Sequence, residues 1–218
     1  MGVAAVVPAA GSGLRLGAGK PKALVEVAGV AMVARAVDGL LASGVVDEVI
    51  VVAPPEHVEE MAFVTAGRVV PGGHDRVASV ALGLAEVGDA DVVLVHDAAR
   101  CLCPSSVVEA VVSAVRAGHG AVVPAIPVAD TVRRVDPDGH VVDLVDRTGL
   151  LAVQTPQGFD ADVLRRAHAA AGDLRATDDA GLVEAIGGEV VTVPGDPRAF
   201  KITSELDLAM AEALVAAL

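Results

Sequence analysis

The sequence predicts an α/β fold with three layers, in which a mainly parallel sheet carries helices on both faces. Short segments built on continuous apolar stretches recur along the chain: VAAVVP (3–8), EVIVVAP (48–54), DVVLVHDAAR (91–100) and GAVVPAIPV (120–128). Segments with apolar residues at helical spacing separate these runs, as at 30–41 and 76–87. Strands that are buried on both faces read as continuous Val, Ile and Leu runs, so this alternation is typical of βαβ units in a parallel sheet.

Helix and strand signals continue through the second half of the chain. Ser105 or Ser106 is expected to cap a helix that stops at Gly118, and S-E-L-D from Ser204 predicts a capped final helix. The other expected elements are a short run at 152–156, helices near 160–171 and 177–187, a strand at 189–195 and a short strand around FKIT (200–203). No internal repeat or linker interrupts the pattern, so one domain over 1–218 is expected.

The segment TVRRVDPDGHVVDLV (131–145) departs from the βαβ pattern. It places Asp-Pro-Asp-Gly between two β-rich stretches, which predicts a hairpin. An isolated hairpin is marginally stable, so one that projects from the sheet needs a partner surface. We therefore expect residues from about 127 to 150 to form a projecting β-arm that clasps a second subunit in a homodimer.

Composition and charge exclude several classes of function. The chain has 218 residues, is 53% hydrophobic and carries a formal net charge of −13, with no long basic run of the kind that tracks nucleic-acid phosphates. No run reaches the roughly 18 apolar residues of a membrane span, and the first residues lack the features of a secretory signal. Cys101 and Cys103 are separated by one residue and read as small hydrophobic side chains. A cytoplasmic protein without nucleic-acid or membrane partners is expected.

Cations are concentrated in one glycine-rich stretch, PAAGSGLRLGAGKPKAL (8–24). Only three lysines occur in the chain, and two of them, Lys20 and Lys22, stand here beside Arg15; the third is Lys201. A glycine-rich loop between a strand and a helix commonly binds phosphate, because small residues let backbone N–H groups approach an anion. In an acidic protein that otherwise uses Arg, a retained Lys suggests chemistry suited to a compact ammonium group.

The common phosphate-loop patterns do not fit this stretch. A dinucleotide fingerprint with Gly11 and Gly13 would need Gly at position 16, where Leu16 stands, and strand two ends without the expected acidic residue. The Walker pattern fails because Lys20 is followed by Pro21. The remaining pattern, G-S-G-x-R with a later Pro-Lys, suits nucleotidyl transfer, in which cations and a metal ion stabilise charge that builds on the phosphates.

Several blocks in order closely resemble the 2-C-methyl-D-erythritol 4-phosphate cytidylyltransferases. Beyond the glycine loop they are PGGxxRxxSV (71–80), VHDAAR (95–100), VADTV (128–132), VDRTGLLAVQTPQGF (145–159), TDDA (177–180) and FKIT (200–203). The resemblance covers nearly the whole chain and implies a Rossmann-like nucleotidyltransferase fold. Three positions depart from the family pattern, namely Ala23, Cys101 and Ala199.

The resemblance also implies roles for individual residues. Those expected to wrap CTP are Ala9, Ala10, Gly11 and Gly13, with Gly73 and Ser79 near the cytosine and its ribose. Arg15 and Lys22 would stabilise the pentavalent phosphorus, and Asp97 would hold Mg²⁺ between the phosphates. The residues expected to hold the sugar phosphate are Arg100, Thr131, Arg147, Thr155 and Lys201, several of them from the arm of a second subunit, with Arg147 and Lys201 aiming the attacking phosphate.

Other polar residues near these motifs carry no such role. His74 and His96 read as neighbours of the site, and Asp178 and Asp179 as carboxylates that cap a helix.

The implied reaction is attack by 2-C-methyl-D-erythritol 4-phosphate on CTP, which gives 4-diphosphocytidyl-2-C-methyl-D-erythritol and pyrophosphate. A phosphate monoester dianion is already a nucleophile, so no general base is needed. The alternatives left open are a cytidylyltransferase for ribitol 5-phosphate, a sugar-1-phosphate nucleotidyltransferase for another base, and a regulatory protein that binds a nucleotide without turnover. A nicotinamide-dependent oxidoreductase lacks its fingerprint.

Overall fold

The computed structural model describes residues 2–10, 20–172 and 176–217, and a mixed sheet forms their centre. The strands are β1 (Val3–Pro8), β2 (Glu26–Val27), β3 (Val30–Ala31), β4 (Glu48–Ala53), β5 (Arg68–Pro71), β6 (Val92–Val95), β7 (Ala121–Pro127), β8 (Val132–Val135), β9 (Val141–Val145), β10 (Leu151–Val153), β11 (Gln157–Asp160) and β12 (Val191–Pro194). The helices are α1 (Met32–Ala42), α2 (Val58–Val64), α3 (Arg76–Glu86), α4 (Ser105–Arg116), α5 (Ala161–Ala170), α6 (Asp179–Ala185) and α7 (Glu205–Ala216).

Eight of the described strands form the central sheet, in the order β10-β7-β11-β6-β1-β4-β5, with β12 beside β7. Strand β1 pairs in parallel with β4 and β6, β4 with β5, and β7 with β12. Only β10 and β11 run against this direction. The expected mainly parallel sheet is confirmed. Because the chain leaves β1 on one side for β4 and returns on the other as β6, the strand order reverses at β1, where α/β folds place ligands.

Helices cover both faces of the sheet, as the sequence predicts. Alternate side chains of β1 enter different cores: Ala5 and Val7 pack with α1 and α4, whereas Ala4 and Val6 pack with α3, α5 and α6. This two-residue period follows from the pleat of a strand that is buried on both sides.

Helix α3 lies unusually close to the sheet. A Cβ added at Gly83 would stand 2.6 Å from Val6 Cγ1 and 2.7 Å from Val52 Cγ2. Only a residue without a side chain fits there, and this contact fixes the height of α3 above the sheet.

The hairpin predicted for 131–145 is confirmed. Strands β8 and β9 pair only with each other, and the turn between them is closed by a hydrogen bond from Gly139 N–H to Asp136 O, 3.1 Å. Apolar side chains remain exposed on both strands, among them Val135 (54%), Val142 (61%) and Leu144 (53%). The two ends of this β-arm (127–150) meet where Val128 N–H donates to Leu150 O, 3.5 Å.

Some boundaries differ from expectation. Helix α1 begins at Met32 because Val30–Ala31 pairs with Glu26–Val27 across a turn at positive φ. Pro104, rather than Ser105 or Ser106, holds the N-cap position of α4.

Five further elements were not predicted, and one prediction was wrong. The elements that were missed are helix α2 and strands β2, β3, β5 and β11. The segment around FKIT forms no strand; its Ile202 N–H donates instead to Ala99 O, 2.9 Å. The capping box of the last helix is confirmed by Ser204 and Asp207.

None of the described helices is long and apolar enough to cross a membrane.

Candidate active site

The candidate site lies at the carboxyl ends of β1 and β6, where the strand order reverses. Ala9 is buried directly after β1 and its N–H donates to Val52 O, 2.8 Å, while Ala10 is half-buried beside it. Their small side chains leave the backbone approachable, as the expected nucleotide contact requires. Gly11, Gly13 and Arg15 lie outside the described residues.

A second loop, at Gly72 and Gly73, faces Ala10. A Cβ added at Gly72 would stand 3.2 Å from Ala10 Cβ, and one at Gly73 only 2.6 Å from Ala78 Cβ. Buried Ser79 shapes this loop, because its Oγ accepts from Gly73 N–H at 3.1 Å and donates to Asp75 O at 2.7 Å. Glycine at both loop positions therefore lets the turn pack against the start of α3 and against the segment after β1.

Asp97 follows β6 and lies among cations. Lys201 Nζ is 2.8 Å from its Oδ2, and Arg100 Nε is 3.8 Å from the same atom. Burial alone would raise the pKa of Asp97, but the Lys201 ammonium, followed by Arg76 and Arg100, outweighs burial and holds that pKa below its ordinary value. The structure thus joins two predicted site residues that are far apart in sequence.

Arg100 clamps two chain segments beside Asp97. Its Nη1 donates to Ala199 O at 2.7 Å and its Nη2 donates to Val153 O at 3.3 Å. Position 199 departs from the family pattern in its side chain only. This hydrogen bond is unaffected, because the backbone carbonyl of Ala199 is the acceptor.

Thr155 links Asp97 to a buried histidine. The Thr155 Oγ1 accepts from Asp97 N–H at 3.0 Å and lies 3.0 Å from His96 Nδ1. Burial lowers the pKa of His96 to about 4, so the ring is neutral near pH 7 and its Nδ1 can accept a hydrogen bond from the Thr155 hydroxyl. His96 is therefore a neighbour of the site, as expected, and helps to fix the main chain at Asp97.

Lys22 stands on a short 3-10 turn, Lys22–Leu24, which packs against the turn Ala98–Arg100 that follows Asp97. Its side chain is half-buried, whereas nearby Lys20 is exposed and lies 4.0 Å from Glu26. The fold therefore brings the turn that carries Lys22 against the turn that follows Asp97.

Thr131 and Arg147 lie at the base of the arm, and both are exposed. The Arg147 Nη1 donates to Val128 O at 2.9 Å and to Ala129 O at 2.6 Å. Within the described ranges, neither residue makes a hydrogen bond or ion pair with the Asp97 group. Their expected contact with the sugar phosphate stays a prediction.

Sequence reasoning missed an ionic cluster beside this site. Asp178 caps α6 as expected, since its Oδ1 accepts from Gly181 N–H at 3.0 Å. Asp179 does not cap; it is fully buried and pairs with Arg76 at 2.7 Å and His168 at 2.9 Å. One signal was available, because a helix start has one N-cap position, so Asp178 and Asp179 could not both fill it.

The residues at Asp97 fit a magnesium ion held together with substrate phosphates. Mg²⁺ is commonly bound by one or two carboxylates and phosphate oxygens, and Asp97 offers a carboxylate directly after the end of β6. The described residues contain one cluster of three possible metal ligands, Asp136, Asp138 and His140, which lies on the exposed turn of the arm.

A mostly parallel sheet with small residues and an acidic residue after the strands at its reversal point is typical of α/β proteins that bind nucleotides, and the likeness to solved cytidylyltransferase structures makes the fold α/β nucleotidyltransferase-like. The family model described as 2-C-methyl-D-erythritol 4-phosphate cytidylyltransferase matches residues 3–217. The chain belongs to this family.

Relatives and solved structures agree with this assignment. The enzyme of that name from Saccharopolyspora erythraea is 59% identical over 225 residues, covering 99% of this chain and 100% of the relative. The one from Rhodococcus opacus is 55% identical and covers 98% of this chain and 95% of its own. The crystal structure of the Thermus thermophilus enzyme superposes with a TM-score of 0.86 at 37% identity, covering 99% of this chain and 100% of that chain.

Proposed function

We propose that the protein transfers the cytidylyl group of CTP to 2-C-methyl-D-erythritol 4-phosphate and releases pyrophosphate. The observation that carries the proposal is the Lys201–Asp97 pair at the sheet reversal, within a chain of this family. The cytidine would lie between Ala9–Ala10 and the Gly72–Gly73 loop, and Gly11 and Gly13 would continue that contact. Arg15 and Lys22 would face the triphosphate.

Charge stabilisation is the main task of the site. Asp97, ionised at neutral pH, would hold Mg²⁺, which when bound neutralises charge on the phosphates. Lys201 and Arg147 would orient the acceptor phosphate in line with the α-phosphorus, with Arg100, Thr131 and Thr155 around it. Such orientation and charge stabilisation can together lower a barrier by roughly 10 kcal/mol.

We further propose that the chain acts as a homodimer joined through the β-arm. Exposed Val135, Val142 and Leu144 give the arm an apolar surface, and a two-stranded sheet has little stability of its own. A second copy that covers this surface would also bring Thr131 and Arg147 to the site of its partner.

The direct test is pyrophosphate release by the purified protein with Mg²⁺. CTP is compared with ATP, GTP and UTP, and 2-C-methyl-D-erythritol 4-phosphate with ribitol 5-phosphate. Release that requires CTP and the methylerythritol acceptor supports the proposal. Preference for ribitol 5-phosphate or another nucleotide would replace it with that activity, and CTP binding without release would indicate a regulatory protein.

A further inference from the structure

The buried cluster of Arg76, Asp179 and His168 lies next to the proposed nucleotide site but has no assigned task. The Asp179 Oδ1 is 2.9 Å from His168 Nε2, and its Oδ2 is 2.7 Å from Arg76 Nη2. The Asp179 side chain is 0% exposed, while that of Arg76 is 29% exposed. Isolated burial of a carboxylate is costly, so Asp179 depends on these two partners.

The cluster is not an efficient way to stabilise the fold. Although Arg76 Nη2 approaches Asp179 at ion-pair distance, Oδ2 makes no hydrogen bond of good geometry, and Arg76 Nη1 and His168 Nδ1 are buried without a hydrogen-bond partner among the described residues. Buried ion pairs with unmet hydrogen bonds are often less stable than apolar side chains of similar size. A local cost of this kind is typical of a functional position.

The cluster connects both sides of the proposed nucleotide site. Arg76 is the first residue of α3, the helix that follows the Gly72–Gly73 loop in the chain. On the other side, Gln157 in β11 donates to Asp178 at 2.8 Å and accepts from Ala180 N–H at 3.2 Å. Gln157 also pairs with Val95, two residues before Asp97.

The charge of Arg76 is held by its contact with Asp179. Burial lowers the pKa of Arg76, but the carboxylates of Asp179 and then Asp97 outweigh it and raise that pKa above its ordinary value. Arg76 therefore stays charged at the start of α3, next in the chain to the Gly72–Gly73 loop.

We propose that Arg76 is a positioning residue for the nucleotide: anchored on Asp179 and His168, it fixes the start of α3 and with it the Gly72–Gly73 loop. This inference rests on the proposed function, in which the loop holds the cytidine and Asp97 the triphosphate side. Its effect should fall on CTP binding rather than on the acceptor.

The test compares Arg76→Met, Asp179→Asn and the double variant Arg76→Met/Asp179→Asn with wild type. The double variant removes both charges and leaves neither buried alone, so it can fold where a single variant does not. Arg68→Met is the matched control, because Arg68 pairs with Glu86 at 2.6 Å at the other end of α3. The measurements are the Kd of CTP with Mg²⁺ by calorimetry, and KM for each substrate and kcat by pyrophosphate release.

We expect Arg76→Met and the double variant to weaken CTP binding about tenfold, with KM for the acceptor changed less than about twofold. A further variant, Arg76→Lys, should bind CTP more tightly than Arg76→Met but less tightly than wild type, whereas the control Arg68→Met should keep the wild-type affinity. A lower thermal midpoint with unchanged CTP affinity would mean a purely structural cluster and would overturn the inference. So would equal losses for both substrates. If the wild type binds CTP without turnover, the proposed function fails, and the Kd values still decide the inference; no CTP binding at all would overturn both.

Discussion

Lys201 Nζ lies 2.8 Å from Oδ2 of Asp97, so the loop before α7 supplies a counter-charge to the end of β6. Because Asp97 is mostly buried, this ammonium is the largest favourable influence on its ionised form. The relationship makes Lys201 responsible for the charge state of Asp97 as well as for its own proposed contact with the acceptor.

Lys201→Met should therefore lower kcat/KM by at least about a hundredfold. The pKa of Asp97 should rise, because burial is then less well compensated. Lys20→Met is the matched control, since Lys20 is exposed and its approach to Glu26 is 4.0 Å. Steady-state pyrophosphate release checks both variants, and near-normal turnover of Lys201→Met would remove Lys201 from the proposed mechanism.

Thr155→Val should reduce both stability and activity. The substitution leaves the Asp97 N–H without its acceptor and His96 without its hydroxyl partner, at a cost of about 1–3 kcal/mol in the free energy of unfolding. Thr192→Val, at an exposed position of β12, should have little effect. Urea denaturation measures the difference, and equal stability of the two variants would contradict the hydrogen-bonded link.

His96 should make the free energy of unfolding decrease at acidic pH. Its folded-state pKa of about 4 lies below the unfolded value of 6.5, so the unfolded chain binds more protons in that range. The stability that comes from burying neutral His96 is fully present above pH 6.5. As the pH falls toward 4 the free energy of unfolding decreases by about 3 kcal/mol. Thermal midpoints between pH 4 and 7 should fall less steeply for His96→Gln than for wild type. His119→Gln, at an exposed position, should keep the wild-type slope.

Gly83→Ala and Gly39→Ala should change stability in opposite directions. Both glycines are helical, but a Cβ at Gly83 would stand 2.6 Å from Val6, whereas the nearest atom to one at Gly39 is 3.9 Å away. Overpacking should cost about 1–3 kcal/mol at Gly83, and better helix propensity should add about 0.5–1 kcal/mol at Gly39. Denaturation curves that shift in the same direction would disprove this account of how α3 meets the sheet.

Val142→Asp should weaken the proposed dimer without unfolding the central sheet. The side chain is 61% exposed in the single chain, so a charge there meets water unless a second copy covers it. Sedimentation velocity should show a dimer for wild type and a shift toward monomer for the variant. A wild-type monomer at micromolar concentration would refute assembly through the arm.

Much of the fold follows from local patterns in the sequence. Continuous apolar runs marked β1, β4, β6 and β7 because these strands are buried on both faces. The Asp-Pro-Asp-Gly turn marked the arm for a different reason, since its residues favour a turn wherever they stand. Strand β5 was missed because only one neighbour, β4, pairs with it and its side chains are half-buried or exposed.

The site was predictable where short motifs carry it and not where distant segments meet. The motif around Asp97 suggested the metal ligand, but no local pattern shows that Thr155 accepts from its N–H. Arg76 and Asp179 form their pair only because α3 and α6 pack on the same side of the sheet. The roles expected of Gly11, Gly13 and Arg15 stay predictions, since these residues lie outside the described ranges.

The hydrogen bond between Val128 and Leu150 brings the two ends of the arm together. Its two strands could be excised and the gap bridged by a short glycine-containing turn, and β7 and β10 would keep their register. Such a shortened chain should still fold, which would separate the proposed self-association from the proposed binding of a nucleotide.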